Sequence, residues 1–271
     1  MNKNLMLRIL SSLFLIPLLL ISIWAGGYLF FVILSLLSIL ILYEFNNLIQ
    51  NEKKYRTFYL LSLFSCFINF YAFTGDFTGL FILALFFLVI IFVYNIIFNA
   101  KNQWYLFAFL YAVLPSVILI VFRQNKIYGF ELVLIAFLIT WTSDTSAYFM
   151  GKLLGGPKLA PKISPNKTIS GAFFAILIST SILSIIFYNF FIDDILLMII
   201  FFALLSLASI IGDLFASFLK RYFKKSESSN LIPGHGGFID RVDSLIGVSF
   251  FLFILIIFLG DYKNVSESFL I

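Results

Sequence analysis

Charge, cysteine and histidine are all scarce in this chain of 271 residues. Only 11% of the residues are charged, 62% are hydrophobic, and the mean hydropathy is +1.08. A soluble domain has about 25% charged residues, so this composition excludes a soluble enzyme and a disordered or fibrous protein. What fits is a polytopic membrane protein. The single Cys excludes an internal disulfide, and the single His leaves too few ligands for a zinc site.

Apolar runs long enough to cross a bilayer recur along the chain, which predicts an all-α membrane protein with about nine transmembrane helices. A span needs about 20 residues, and helices satisfy their own backbone hydrogen bonds in lipid. Ala25-Gly26-Gly27 predicts a tight helical hairpin between the first two runs. We expect an uncleaved first helix there; the alternative is a signal peptide. The runs cover residues 9–25, 27–43, 58–75, 77–98, 104–122, 130–148, 169–192, 195–219 and 244–260.

Basic residues are unevenly distributed between the loops on the two sides. With a cytoplasmic N-terminus, 15 of the 18 Lys and Arg fall on the cytoplasmic side and 3 on the other. This bias is typical of multi-pass proteins of the cell (inner, cytoplasmic) membrane, and it explains the basic surplus without nucleic-acid binding. We divide the chain into a transmembrane scaffold, 1–129, and a catalytic region, 130–271. Function is expected in the two polar cytoplasmic loops, 149–168 and 219–243.

An ionisable residue lies deep in the sixth run. Asp144 stands roughly 21 Å along that run, where a charge is costly unless it is paired or hydrated. Tyr148 follows four residues later, on the same helical face. We predict a functional Asp144; the alternative is a structural residue hydrogen-bonded to Thr142 or Thr145.

One face of the eighth run carries groups that suit phosphate and metal. Asp213 is followed by Ser217 at i+4 and by Lys220 at i+7, and these spacings share a helical face. A carboxylate, a hydroxyl and an ammonium group at a membrane edge favour a phosphate–metal site. The alternative is a solvated polar stripe.

The loop after the eighth run is rich in glycine and aspartate. It reads Pro233-Gly234-His235-Gly236-Gly237-Phe238-Ile239-Asp240-Arg241-Val242-Asp243. Its glycines let backbone N–H groups approach phosphate oxygens, and Asp240 and Asp243 offer the hard oxygen ligands that Mg²⁺ prefers. Arg241 and the pair Lys220-Arg221 would neutralise phosphoryl oxygens. The alternatives are a solvated turn and a structural His235.

The other polar loop reads Ser164-Pro165-Asn166-Lys167-Thr168-Ile169-Ser170-Gly171. Its hydroxyls, lysine and glycine are suited to binding phosphate. Thr168 is also expected to cap the helix that begins at residue 169. The two roles are compatible.

Together these motifs resemble the phosphatidate cytidylyltransferase (CDP-diacylglycerol synthase) family. The resemblance is specific across residues 141–245 and rests on hydropathy alone before them. The spacing from Ser217 to Asp243 matches that family's signature without a gap. The matching segments are Asp144-Thr145-Ser146-Ala147-Tyr148, Leu159 to Thr168, Gly212-Asp213-Leu214-Phe215, Ser217, Lys220-Arg221, Ile232-Pro233, His235-Gly236-Gly237-Phe238 and Asp240-Arg241-Val242-Asp243.

The resemblance implies an integral membrane nucleotidyltransferase of phospholipid biosynthesis, with its active site at the cytoplasmic membrane edge. It would transfer CMP from CTP to phosphatidate, giving CDP-diacylglycerol and pyrophosphate, with Mg²⁺ or another divalent metal as cofactor. Asp213 and Asp240 would hold the metal, with Asp144 and Asp243 as further ligands or supports. The catalytic residues would be Lys220, Arg221, His235 and Arg241. Substrate would be bound by Tyr148, Ser164, Lys167, Thr168, Ser217, Gly236 and Gly237.

Three positions depart from the family pattern. Ser170 and Ala216 stand where the family usually has Glu, and Ser226-Glu227 replaces Lys-Asp. Two carboxylates and one cation are therefore missing, which leaves a weakened scaffold or a transporter as an alternative. A polyprenol kinase, or a cytidylyltransferase of another lipid phosphate, is a further alternative. A homodimer is compatible with the sequence.

Overall fold

The computed structural model of this chain describes residues 3–49, 55–97, 104–190, 195–229, 231–232 and 236–259. These residues form nine α-helices, an antiparallel hairpin of two strands and a short 3-10 turn at Tyr188–Phe190. The helices are α1 (Lys3–Ala25), α2 (Gly27–Ile49), α3 (Arg56–Thr74), α4 (Phe77–Ile97), α5 (Trp104–Arg123), α6 (Gly129–Leu154), α7 (Ile169–Ile186), α8 (Ile195–Tyr222) and α9 (Ile239–Leu259). The strands are β1 (Lys158–Ala160) and β2 (Ser164–Thr168).

Most of these helices have the length and composition of membrane spans. Within the described residues, seven are long and apolar enough to cross a membrane, namely α2, α3 and α5 to α9. Helices α1 and α4 contain shorter apolar stretches, Leu13–Ala25 and Thr78–Val93. Large apolar side chains such as Phe81 and Ile185 are exposed, as lipid permits and water does not. The chain is a helical, multi-pass membrane protein, as predicted, with a hairpin that the sequence analysis missed.

Several helices do not end where the apolar runs end. Helix α6 continues from the predicted 148 to Leu154, α8 continues from 219 to Tyr222, and α9 begins at Ile239 instead of 244. Helix α7 stops at Ile186, before the predicted 192. Hydropathy marks the apolar length, whereas helical hydrogen bonding continues into polar sequence and can stop within apolar sequence. The loops predicted at 149–168 and 219–243 are therefore partly helical or strand.

Packing divides the chain into two compact units. The first comprises Met1–Gln124 with Lys225–Asp240, and the second comprises Asn125–Lys224 with Arg241–Ile271. The sequence order alone places a boundary at 129 and assigns residues 225–240 to the C-terminal region, and that functional division stays a prediction.

A chain of hydrogen bonds joins α2, α3 and α5 inside the first unit. Ser38 Oγ lies 2.7 Å from Ser65 Oγ, and Asn69 Nδ2 donates to Ser38 Oγ at 3.3 Å. Ser116 Oγ donates to Asn69 Oδ1 at 2.9 Å, and all four side chains are buried. Hydrogen bonds between small polar residues stabilise helix packing where water is absent.

The end of α5 caps two other helices of the first unit. Arg123 Nε donates to the carbonyl oxygen of Ile23 at 2.7 Å, and Gln124 Nε2 donates to that of Ala72 at 2.8 Å. Gly26 has a φ of +61°, which favours glycine, and a Cβ there would lie 2.8 Å from Arg123 Cζ. The predicted tight turn between α1 and α2 is confirmed, and Gly26 also leaves room for the capping arginine.

Small residues bring α6, α7 and α8 close together in the second unit. Ser179 Oγ donates to Ser206 Oγ at 2.9 Å, and Ser206 Oγ lies 3.3 Å from Ser143 Oγ. A Cβ on Gly171 would come within 2.8 Å of the carbonyl oxygen of Ala147. This packing holds the part of α6 that carries Asp144, the residue after Ser143.

Candidate active site

Three aspartates from three helices of the second unit form an acidic cluster. Asp144 lies on α6, Asp213 on α8 and Asp243 near the start of α9. Their carboxylates are close enough to interact electrostatically with one another, and Asp243 is buried. Asp144 is exposed and Asp213 is partly exposed. Because like charges held close together repel, positive charge near the cluster stabilises it.

Basic side chains of the same unit supply part of that compensation. Lys167 Nζ forms an ion pair with Asp213 Oδ2, and about a quarter of each side chain is exposed. Lys167 and Arg241 interact favourably with Asp144, and Lys220 does so with Asp243. The sequence placed these cations in separate motifs, and the fold brings all of them to the acidic cluster.

Ser244, which the sequence analysis did not select, contacts two of the aspartates. Its Oγ donates to Asp144 Oδ1 at 2.9 Å, and its backbone N–H donates to Asp243 Oδ1 at 2.9 Å. Thr142, which the alternative of a structural Asp144 offered as a partner, instead donates its hydroxyl to the carbonyl oxygen of Leu138 at 2.7 Å. Serine is common in apolar helices, so only the packing of α6 and α9 reveals this contact.

Two facing glycines bring Asp213 and Asp243 together. A Cβ on Gly212 would lie 2.5 Å from the carbonyl oxygen of Asp243 and 2.8 Å from Gly247 Cα. Helices α8 and α9 therefore touch backbone to backbone at this point, which no larger residue allows. Since Asp213 follows Gly212, the contact fixes its position beside the start of α9.

Lys167 lies on the hairpin strand β2, from which its side chain reaches Asp213. The next residue, Thr168, is the N-cap of α7, and its Oγ1 accepts a hydrogen bond from the N–H of Gly171 at 3.1 Å. The predicted cap is confirmed. Ser170 Oγ donates to the carbonyl oxygen of Gly155 and lies 3.1 Å from Thr168 Oγ1. The serine that replaces the family's usual Glu thus closes the turn after α6.

The other predicted residues of the second unit lie around this hairpin or on α6 and α8. Arg221 Nε donates to the carbonyl oxygen of Ile163 at 3.3 Å, next to Ser164 in β2. Tyr148 is 64% exposed on α6, and Ser217 lies between Asp213 and Lys220 on α8. Ala216 is completely buried, so packing at this position is adapted to a methyl group.

A buried glutamate that the sequence analysis missed organises the segment Lys225–Asp240 in the first unit. Glu44 on α2 has no exposed surface. Its carboxylate is surrounded by two hydroxyl groups and two backbone N–H groups. These are Ser228 Oγ at 3.0 Å, Ser229 Oγ at 2.5 Å, Phe238 N at 2.7 Å and Ile239 N at 2.8 Å. We call this set the Glu44 network.

Asp240 is joined to the Glu44 network through Ser228. Ser228 Oγ lies 2.8 Å from Asp240 Oδ2, and the Ser228 N–H donates to the same oxygen at 3.1 Å. A Cβ on Gly237 would overlap Ser228 Oγ and come within 2.7 Å of Glu44. Gly236 adopts a φ of +82°. His235, predicted to be catalytic, lies outside the described residues.

The described residues contain no group of three or more His, Cys, Asp or Glu that could hold a metal ion by itself. Mg²⁺ in nucleotide sites commonly binds one or two carboxylates and takes its other ligands from substrate phosphates and water. The acidic cluster offers hard oxygen donors beside cations that can bind phosphate. Its chemistry therefore fits a metal that is bound together with a nucleotide.

The model of the cytidylyltransferase family matches residues 6–259 of this chain. The match covers nearly all of the helical sequence, including both loops that carry the predicted site. The chain belongs to the cytidylyltransferase family, as the motifs had indicated.

Similar curated proteins carry a more specific name. The chain is 43% identical over 139 residues to the phosphatidate cytidylyltransferase of Staphylococcus epidermidis, covering 50% of the chain and 53% of that protein. It is 34% identical over 164 residues to the enzyme of the same name from Brucella abortus, covering 58% of each. For that of Rickettsia bellii the identity is 40% over 149 residues, covering 52% and 64%. The chain thus spans about half the length of the curated relatives it matches.

Proposed function

We propose that this protein is a membrane-bound enzyme that transfers CMP from CTP to phosphatidate. The observation that carries the proposal is the acidic cluster with Lys167 paired to Asp213, in a chain of the cytidylyltransferase family. The name shared by the relatives supports phosphatidate as the acceptor. The products would be CDP-diacylglycerol and pyrophosphate.

The proposed reaction needs no protein nucleophile. A phosphate oxygen of phosphatidate attacks the α-phosphorus of CTP, and a new P–O bond forms. The bond from the α-phosphorus to the oxygen that bridges to the β-phosphate breaks, and pyrophosphate leaves with that electron pair. Such a transfer depends on positioning and on neutralisation of phosphoryl charge. Lys167, Lys220 and Arg241 supply positive charge where the carboxylates cluster, and Arg221 lies at the hairpin beside Ile163.

Mg²⁺ is part of this proposal, and when bound it would neutralise charge on the reacting phosphates. Asp213 would hold it with Asp144 or Asp243, because these carboxylates already lie near one another. Asp240, which is joined to the Glu44 network through Ser228, stays a predicted metal ligand. Gly236 and Gly237 stay predicted phosphate contacts, and His235 a predicted catalytic residue.

The experiment that tests the function uses purified protein in detergent with CTP and phosphatidate, with and without Mg²⁺. CTP labelled on its α-phosphate should transfer label to a lipid product only when Mg²⁺ is present. Label from the γ-phosphate in the lipid would instead identify a CTP-dependent lipid kinase. Transfer to other lipid phosphates in preference to phosphatidate would identify a different cytidylyltransferase. Absence of all turnover would favour a scaffold or transporter.

We further propose nine spans in the cytoplasmic membrane, with the N-terminus and both polar loops in the cytoplasm. CTP would then enter from the water and phosphatidate from the bilayer, at the cytoplasmic membrane edge. Lys158→Cys, in a background with Cys66→Ser, places a thiol at an exposed site in the hairpin. A membrane-impermeant reagent added to intact cells should not label it, and strong labelling would reverse the orientation. A homodimer also stays a prediction.

A further inference from the structure

We propose that Glu44 is a positioning residue, which holds two described parts of the segment Lys225–Asp240, residues 225–229 and 236–240, in the arrangement that the reaction requires. The inference rests on the proposed function, because it assigns Glu44 a role in that reaction. Glu44 belongs to α2, far in sequence from every predicted site residue. A positioning residue acts in this way without touching the substrate or binding the metal.

Glu44 is buried beside hydrogen-bond donors that all belong to one segment. A carboxylate with no exposed surface is unfavourable unless the protein supplies its hydrogen bonds. Here the donors come from one segment, with Ser228 and Ser229 near its start and Phe238 and Ile239 near its end. One side chain thus fixes two separated parts of the same segment.

Two of the donors to Glu44 are N–H groups at the start of α9. Helix α9 begins at Ile239, so the N–H groups of Phe238 and Ile239 have no partner within that helix. A negative charge at a helix N-terminus is also favoured by the helix dipole. Glu44 therefore acts as a cap supplied by another helix, and it sets where α9 begins.

Glu44 is also connected to two predicted site residues, Asp240 and Gly237. Ser228 Oγ lies between Glu44 Oε2 and Asp240 Oδ2, at 3.0 and 2.8 Å. Gly237 passes so close to the Glu44 carboxylate that any side chain there would overlap Ser228 Oγ. A displacement of Glu44 would therefore move Asp240 and Gly237 together.

A second attachment to α2 supports the same interpretation. Lys225 Nζ donates to the carbonyl oxygen of Asn47, in the last turn of α2. The segment is consequently held to one helix by Lys225 at its beginning and by Glu44 further on. This double attachment makes the end of α2 the support on which the segment is built.

The test compares Glu44→Gln with Glu131→Gln in the purified protein. Gln keeps the size of Glu but replaces one acceptor oxygen with an NH₂ donor, which would face the donors of the segment. Glu131 is the matched control, because its Oε2 is buried without a hydrogen-bond partner among the described residues. Three quantities are measured: the rate of trypsin cleavage after Lys225 without substrate, kcat/KM for CTP, and the Mg²⁺ concentration for half-maximal turnover.

For Glu44→Gln we expect faster cleavage by trypsin, a lower kcat/KM and a higher Mg²⁺ concentration for half-maximal turnover. The loss in kcat/KM should be on the order of 10-fold to 100-fold, which is typical when a residue that supports a metal ligand or catalytic group is removed. Glu131→Gln should match the wild type in all three. Ser229→Ala, which removes one donor, should change all three in the same direction but less, and it serves if Glu44→Gln does not fold.

The proposal is overturned if Glu44→Gln and Ser229→Ala are both cleaved and turn over CTP at wild-type rates. It is also overturned if cleavage is faster but kcat/KM and the Mg²⁺ requirement are unchanged, since Glu44 would then hold a segment that the reaction does not need. If the wild type itself does not turn over CTP, the proposed function fails. The cleavage rates then still decide whether Glu44 holds the segment.

Discussion

The Glu44 network and the acidic cluster differ in how their carboxylates are stabilised. In the first unit, one buried carboxylate receives hydrogen bonds from Ser229 Oγ and from the N–H groups of Phe238 and Ile239, and it shares Ser228 Oγ with Asp240. In the second unit, three carboxylates interact with one another and depend on a lysine, a serine and other nearby cations. Glu44 finds its hydrogen-bond donors within the protein, whereas the acidic cluster concentrates negative charge that a bound cation would stabilise.

This difference separates an acid that holds other residues in place from acids that could bind a metal. A carboxylate whose acceptors are all used by protein donors stabilises the fold, and its loss leaves those donors unpaired. Repelling carboxylates reduce stability by themselves, so their presence indicates a function that compensates for the repulsion. The two groups should therefore respond differently to the same change from carboxylate to amide.

The largest expected effect is the loss of turnover in Asp213→Asn. The amide keeps the shape but removes the charge, which should lower kcat by about 10²–10³ while the protein stays folded. Label transfer from CTP and thermal unfolding in detergent measure the two properties. Asp76→Asn is the control, because Asp76 is exposed and its Oδ1 accepts from the N–H of Gly79, as an Asn oxygen also can. Near-normal turnover in Asp213→Asn would remove this residue from the metal site.

Gly212→Ala should have the next largest effect, because it separates α8 from α9. The added methyl group would meet the carbonyl oxygen of Asp243 at 2.5 Å. Overpacking of this kind typically costs about 1–3 kcal/mol, and the shift would also move Asp213 from its partners. Thermal unfolding and turnover should both fall. A variant with full activity and unchanged stability would show that the helices can separate without consequence.

The smallest expected effect comes from the polar chain inside the first unit. Ser65→Ala removes the hydrogen bond to Ser38 and should lower stability by about 0.6 kcal/mol. Ser62→Ala on the same helix is the control, because Ser62 Oγ is buried without a partner among the described residues. Stability is measured by unfolding in mixed detergents, and turnover per folded molecule should stay constant in both. A selective loss of turnover in Ser65→Ala would give this polar chain a function.

Much of the fold follows from hydropathy and a few local rules. The turn at Gly26 and the cap at Thr168 were both predicted, because each depends on residues that are adjacent in sequence. The hairpin β1–β2 was missed, since its three- and five-residue strands have no apolar alternation. Helix ends were displaced because α6 continues past Gly151 and Lys152, which interrupt the apolar run without ending the helix.

The candidate site was only partly predictable for a similar reason. Lys167 and Asp213 were both selected from local motifs, but their ion pair depends on how β2 and α8 pack. Glu44 was missed because a Glu that directly follows an apolar run normally marks the beginning of a loop. Its partner Ser228 lies 184 residues further along the chain, and no local pattern connects such positions.

The caps at the end of α5 have a consequence for how the chain is made. Arg123 and Gln124 satisfy carbonyl groups at the ends of α1 and α3, which are synthesised 100 and 52 residues earlier. Until α5 has left the ribosome, only water at the membrane surface can serve those carbonyls. The early helices therefore insert with uncapped ends, and the ends of α1 and α3 gain these hydrogen bonds only when α5 arrives. A nascent chain arrested before Arg123 should be cut by proteases at the α1–α2 turn, and one arrested well beyond Gln124 should resist them.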